Sequence, residues 1–535
     1  MTTNVSPRLT SSRAIICAVL AAGFLFRFLP MLFWPSIAQP DEVIQAIEQG
    51  HRHFYGYGLV PWEFDYAARS WLLGYFAAGA MALSEFFGGG PAIYLPLIAG
   101  LLSLLGAVST LCAFLWGRRL ISTAGGVAAA LISATWVDTL YFGGRSLTEV
   151  VGAHFFVIAL YLAEPGFRVQ SGKRLFFAGL FAGATLMLRI HLAPAVALIW
   201  LWRITDIRRF ALLSAGALLA IIANGAFDAA TWSYPFEPLW QNIQFNLVQG
   251  GSHFFGTDPW WKYVYWMGAN WGCTIALFLP LAIFGGRRTP ILLASAVLIV
   301  AVHSVLGHKE YRFIYPALLL FSITAGLGAV DLARLITHGW RDGLLNPASR
   351  GVVGVMTFCW IVLCFVNLIG RDYDKHWDRA HESTLAALHV SRMQNVCGIG
   401  LYNVGNYETG GYSYFHKRVP LYWSRKPWQV MDKASGFNVM VYSAKGLVPN
   451  RDLSPNTPYR EIACYGKTCI LQRPGTCERL PLVKPAKSKM NTEILDQYPY
   501  VAGIKAPVLI ERESPPSKGN TSVEKPFAGS ARNAK

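Results

Sequence analysis

The residues of this chain that could do chemistry gather in two short stretches far apart in sequence. The first runs from Gln39 to Ser70 and holds Asp41, Glu42, Glu48, Glu63 and Asp65 among His51, His53, Trp62, Arg52 and Arg69. The second is His308-Lys309-Glu310-Tyr311-Arg312-Phe313. A carboxylate can take the proton of a weak hydroxyl nucleophile, and clustered cations can grip an anionic group. Asp41 and Glu42 are neighbours, so their side chains diverge and only one can aim squarely at a reacting atom. Lys309 and Arg312 lie three apart, and on a helix they would share a face and hold one phosphate. Each stretch also has a bland reading: a hydrated acid pair at a helix start behind Pro40, and Lys and Arg snorkelling to lipid headgroups.

Further charges fall where charge is expensive. Arg27 sits inside the apolar run Ile15–Trp34, where it needs either a tilt to the interface or a partner within a cavity. Arg145 and Glu149 suit an i,i+4 pair at a helix start. Arg189 and His191 end another apolar run, and Trp260 lies in a loop, 231–263, rich in Trp, Tyr, Phe, Pro and Asn. No Cys/His spacing fits zinc, and no phosphate-binding glycine loop or Ser-His-Asp arrangement convinces. A metal-free, cofactor-free site is the expectation.

The elements that must position these residues are membrane helices. With 535 residues, 53% of them hydrophobic and only 14% charged, the chain is not an ordinary soluble protein. Apolar stretches at 14–35, 91–117, 120–142, 149–163, 175–190, 192–203, 210–230, 264–285, 290–306, 313–333 and 351–370 give about 11 crossings. Residues 71–87 are apolar too, yet counting them as a crossing would invert every later loop, so a re-entrant or half-embedded segment is expected. With the N-terminus inside, 15 of the 23 Lys and Arg before residue 371 fall in inner loops, as the positive-inside rule demands. The placement of these basic residues between apolar runs, and not the +17 total, is the informative signal, and nucleic acid is not an expected partner. Asp41 and the 308–313 stretch then share the outer face. Beyond 370 the composition turns polar, with short alternating runs broken by Gly and Pro, which suggests a small mixed α/β domain. Its Cys397, Cys464, Cys469 and Cys477 suit at least one disulfide if that domain is exported.

These stretches carry a resemblance. Pro40-Asp41-Glu42, Tyr57-Gly58, Pro61-Trp62-Glu63, Arg69-Ser70, the run Phe255–Tyr263 and His308–Phe313 resemble, in order, glycosyltransferase family 22. That family holds the mannosyltransferases of GPI-anchor and asparagine-linked-glycan assembly. The resemblance covers about residues 15–335, with Gly410-Gly411-Tyr412 and Val419-Pro420-Leu421-Tyr422 similar to the family's C-terminal region. It implies a GT-C fold and a dolichyl- or polyprenyl-phosphate mannose donor used on the non-cytosolic face. It also implies inversion without a metal, Asp41 as catalytic base, and Lys309 and Arg312 at the donor phosphate. Arg189-Ile190-His191 and the cysteine-bearing C-terminal part depart from the usual pattern, which points to a bacterial member.

The expectation is an α-helical polytopic membrane protein of GT-C fold with a small extracytoplasmic α/β domain. Residues 1–370 form the catalytic unit, with its catalytic loop at about 36–70; 371–510 form the outer domain, and 511–535 a disordered tail. Asp41 and Glu42 are the catalytic candidates. His308, Lys309, Arg312, Arg69, Trp62, Glu63, Arg189 and Trp260 are the donor- and substrate-binding candidates. The partners are a lipid-linked sugar-phosphate donor, a glycan or glycolipid acceptor, and the membrane. The setting is a bacterial inner membrane with a cytoplasmic N-terminus and periplasmic C-terminal domain, or the endoplasmic reticulum of a eukaryote. The rival readings are a flippase or transporter for a lipid-linked sugar, and a non-catalytic assembly protein.

Overall fold

The computed structural model describes residues 7–164, 171–203, 206–336, 347–369, 376–405, 407–423, 428–431, 434–443, 459–478 and 500–502. The expected tail at 511–535, the domain junction at 370/371, and the inner-loop residues Arg168 and Arg341 lie outside them. Each stretch expected to cross is helical over most of its described residues. Among the described residues, five helices are long and apolar enough to span a membrane, Pro91–Leu120, Ile207–Thr231 and Tyr311–Ile336 among them.

Two expected crossings are broken. Residues 120–142 form Thr123–Thr135 and Val137–Phe142, parted at Trp136, whose backbone is extended (φ −62°, ψ 136°). The freed polar groups are taken up locally, because Thr139 Oγ1 donates to the carbonyl of Ser133 at 2.8 Å. Trp136, Trp271 and Tyr311 all donate to the Asp138 carboxylate at 2.8–3.0 Å. That buried acid thereby ties three elements together. The stretch 264–285 breaks at Gly272, a residue with positive φ.

The helix Tyr315–Ile336 runs through the centre, buried along nearly its whole length. It meets Ile275–Gly286 at a crossing where a Cβ on Gly328 would stand 2.0 Å from the carbonyl oxygen of Leu281. Hydrophobicity adds little to helix association in lipid, so small residues that let backbones approach are what join such helices. Leu72–Glu85, the segment expected to be half-embedded, is a helix of 14 residues. At 1.5 Å per residue it covers about 21 Å, short of the ~30 Å of hydrocarbon.

The C-terminal part carries a six-stranded mixed sheet in the order β4-β5-β3-β1-β2-β6. Its strands are β1 Ile399–Tyr402, β2 Leu421–Trp423, β3 Val439–Ser443, β4 Arg460–Tyr465, β5 Thr468–Gln472 and β6 Tyr500–Ala502. The central strands β1 and β3 run parallel and are buried, and helix His381–Arg392 packs beside them. Cys397 is bonded to Cys477, and Cys464 to Cys469.

One buried acid clips this domain to the membrane unit. Glu48 accepts hydrogen bonds from the backbone N–H of Leu59 (2.7 Å), Tyr412 (3.2 Å) and Ser413 (2.7 Å). Burial raises its carboxyl above the usual range, opposed by those three donors. Gly411 makes the approach possible: its φ is +60°, and a Cβ there would stand 3.0 Å from Leu59 and 3.1 Å from Glu48. Glu48→Gln would turn an NH2 group toward backbone donors, so it is expected to weaken docking by ~1–3 kcal/mol. Faster protease release of the C-terminal domain, with the membrane unit intact, is the measurement.

Candidate active site

The first loop enters its helix through Gln39, extended at φ −143°, and Pro40, whose missing N–H costs nothing at a first helical position. The helical segment continues to Tyr55 through one wide π turn, Val43–Ile47. Asp41 and Gln45, one turn apart, face a cavity, while Glu42 faces the other way. The divergence expected of adjacent acids is complete. Glu42 is 4% exposed and accepts from the Ala38 N–H at 2.7 Å and from Arg145 Nη1 at 3.0 Å.

Asp41 is the acid left open. Its side chain is 29% exposed, and its Oδ2 accepts from Arg312 Nη2 at 2.5 Å. Arg312 also donates through Nε to Glu310 Oε2 at 2.8 Å, and its Nη1 lies 3.3 Å from Glu149 Oε1. Glu149 takes a second cation, Arg189, at 2.5 Å. Asp41, Glu149 and Glu310 therefore surround one buried guanidinium, whose planar fork suits several carboxylates at once. Burial alone would raise the Glu310 carboxyl, but the bond from His308 and the Arg312 charge outweigh it and hold it well below the usual range. The same bond raises His308.

The cavity has two lobes that share Asp41, Gln45, Arg69, Arg189 and Arg312. The inner lobe, about 90 Å³, ends among Leu72, Leu73, Met187, Leu188 and Ile190. The outer lobe, about 380 Å³, is lined by Trp62, Glu63, Asn246, Phe255 and His308. Trp62 packs on Phe245 with ring centroids 4.3 Å apart. Glu63 is 8% exposed and accepts from Gln45 Nε2 at 2.6 Å. Burial first, and then the Asp41 charge, push its carboxyl up to about 7.

Several expectations change. Arg145 does not pair with Glu149; it turns to Glu42 and Ser36, which leaves Glu149 for Arg189 and Arg312. Lys309 and Arg312 share no helix face, because Glu310 is extended and helical turns begin only at Tyr311. The Lys309 ammonium donates to the carbonyls of Leu306 and Asp258 and lines neither lobe. Trp260 is 71% exposed and also lies off the lining. Arg27 is 1% exposed but meets neutral oxygens, Gly23 O at 2.7 Å and Thr110 Oγ1 at 3.0 Å. Arg69 lines both lobes, has no ion-pair partner among the described residues, and keeps a buried Nε unbonded. Sequence reasoning passed over Gln45 and Asp228. Gln45 was findable at i+4 from Asp41, but Asp228, held by Ser70 at 2.8 Å, gave no local signal.

Comparisons with known proteins bear on the family and the fold. Residues 19–377 match the model of the Alg9-like mannosyltransferase family. The chain is 27% identical over 369 residues to GPI mannosyltransferase 3 of Yarrowia lipolytica, covering 64% of this chain and 70% of that one. It is also 27% identical over 322 residues to GPI alpha-1,2-mannosyltransferase 3 of Mus musculus, covering 57% of each. These relatives are fungal and animal, and the expectation of a bacterial member finds no support in them. ArnT of Cupriavidus metallidurans, solved with undecaprenyl phosphate, superposes with a TM-score of 0.53 at 10% identity, covering 86% of this chain and 98% of that one. At that identity the likeness speaks for the fold alone. The helical bundle, the capping sheet domain and the family match together make this chain a multi-pass membrane glycosyltransferase of GT-C fold that belongs to the Alg9-like mannosyltransferase family.

Proposed function

We propose that the protein transfers mannose from a polyprenyl- or dolichyl-phosphate donor to a glycolipid acceptor, with inversion, on the non-cytosolic face. The names of its relatives favour a GPI-type acceptor and an α linkage. The observation that carries the reading is Asp41: an open carboxylate, aimed by Arg312, where an apolar-ended lobe meets an aromatic-walled one. The inner lobe suits the first isoprene units of the donor, and the outer lobe with Trp62 suits sugar rings. The acceptor hydroxyl approaches Asp41, which takes its proton as the new C–O bond forms. The bond from the anomeric carbon to the phosphate oxygen breaks, and cations stabilise the departing phosphate.

Arg69 lines both lobes with no direct ion pair among the described residues, whereas Lys309 lines neither, so Arg69 suits that phosphate better. Arg69→Ala is expected to lower kcat/KM for the donor ~10–100-fold, the loss of one or two charge-assisted hydrogen bonds. Lys309→Ala is expected to act mainly on stability. The readout is labelled mannose moving from a polyprenyl-phosphate donor into extractable glycolipid. Sugar-independent lipid translocation without transfer would instead favour the flippase rival.

Glu63 makes the site sensitive to pH. Its carboxyl is raised, so it is neutral below about 7 and anionic above. Ionisation adds negative charge to a cavity that must admit an anionic donor. Donor KM is therefore expected to rise as pH passes upward through about 7, and Glu63→Gln to remove that rise. An unchanged KM–pH profile in that variant would refute the assignment.

A further inference from the structure

Asp41 and Glu42 look into different spaces. Behind the Glu42–Arg145 pair lies a groove of about 220 Å³ between helices Pro7–Phe33 and Pro91–Leu120, roofed by helix His381–Arg392. Leu32, Leu95, Ile98 and Ala99 give it apolar walls, and Arg392 stands at its roof. Leu25, Leu29 and Leu32, on one face of their helix by i,i+4,i+7 spacing, are exposed and continue the apolar track away from the groove. Phe33 and Trp34, at the end of the first groove helix, and Phe86 and Phe87, just before the second, are all exposed, as an aromatic belt is at a membrane surface. Arg392 is exposed and has no ion-pair partner among the described residues.

We propose that this groove binds a glycerophospholipid that is not a substrate, with one acyl chain along Leu25, Leu29 and Leu32 and its phosphate on Arg392. The chemistry selects this occupant. An apolar slot opening at the belt takes a hydrocarbon chain, and a lone guanidinium above it takes an anionic headgroup. The groove does not serve the sugar reaction directly, because the buried Glu42–Arg145 pair and Ser146, which donates to the Glu42 carbonyl at 2.7 Å, wall it off from Asp41. Its contacts join both membrane helices to the C-terminal domain through Leu388, Arg392 and Tyr414. The bound lipid thus fills the joint on which the domain rests.

The test is native mass spectrometry of the delipidated full-length protein titrated with dioleoyl phosphatidylglycerol. The unaltered protein is expected to retain one lipid through detergent exchange. Ala99→Trp, which fills the slot, and Arg392→Glu, which reverses the charge, are each expected to weaken that retention about tenfold or more. A melting curve for each variant confirms folding, and Ala99→Leu serves if the Trp variant does not fold. Equal retention in both variants would overturn the proposal. So would displacement of the lipid by inorganic phosphate alone, which would mark a phosphate site without a chain slot. Loss of retention in Arg69→Ala would place the lipid in the catalytic cavity and overturn it as well.

Discussion

Asp41→Asn is expected to leave a folded, membrane-inserted protein that binds donor and transfers almost nothing. Asparagine keeps the size of the side chain and an oxygen to accept from Arg312, but it cannot take a proton. General-base catalysis contributes typically ~10²–10⁴-fold, so transfer is expected to fall by that factor at matched membrane abundance. Glu42→Gln is the control that makes the result specific. Glu42 is equally acidic and adjacent, yet it is buried against Arg145 and faces away from the cavity. Its replacement is expected to lower stability and to affect turnover less than Asp41→Asn. Near-normal turnover by Asp41→Asn would sink the mechanism and return the case to the transporter or the assembly protein.

Arg312 is expected to be the least replaceable residue in the molecule. Its guanidinium serves Asp41, Glu149 and Glu310 at once, with a side chain only 6% exposed. Arg312→Gln leaves those carboxylates without that charge, and breaking a buried ion pair by removing one partner costs ~3–5 kcal/mol. A lower melting temperature and lost transfer are expected together. Arg312→Lys separates the two effects, because it restores the charge but not the planar fork. It is expected to recover much of the stability while transfer stays low, since an ammonium cannot orient several acids bidentately. Full activity in the lysine variant would show that charge alone matters here and that the geometry around Asp41 does not.

The sequence by itself determined a good deal of this protein. Apolar stretches of spanning length are sufficient for a helix to form in lipid, because every backbone group must be satisfied within the segment. Hence the helices could be placed one by one, and the polar C-terminal part with its cysteines set apart. The divergence of Asp41 from Glu42 follows from helix geometry alone. Tertiary structure alone decided the partners. Arg145 and Glu149 have the spacing of a helical pair, yet one pairs with Glu42 and the other with Arg189 and Arg312. Spacing ranks local neighbours, whereas a buried charge takes whichever opposite charge the packed helices bring within reach. Lys309 and Arg312 part for a related reason: three-residue spacing joins side chains only on a helix, and Glu310 is extended. Arg69, by contrast, stands out only in three dimensions, as a cation that lines both lobes without a direct ion pair among the described residues. No pattern along a chain reports a missing partner, because the partner could have come from any other helix.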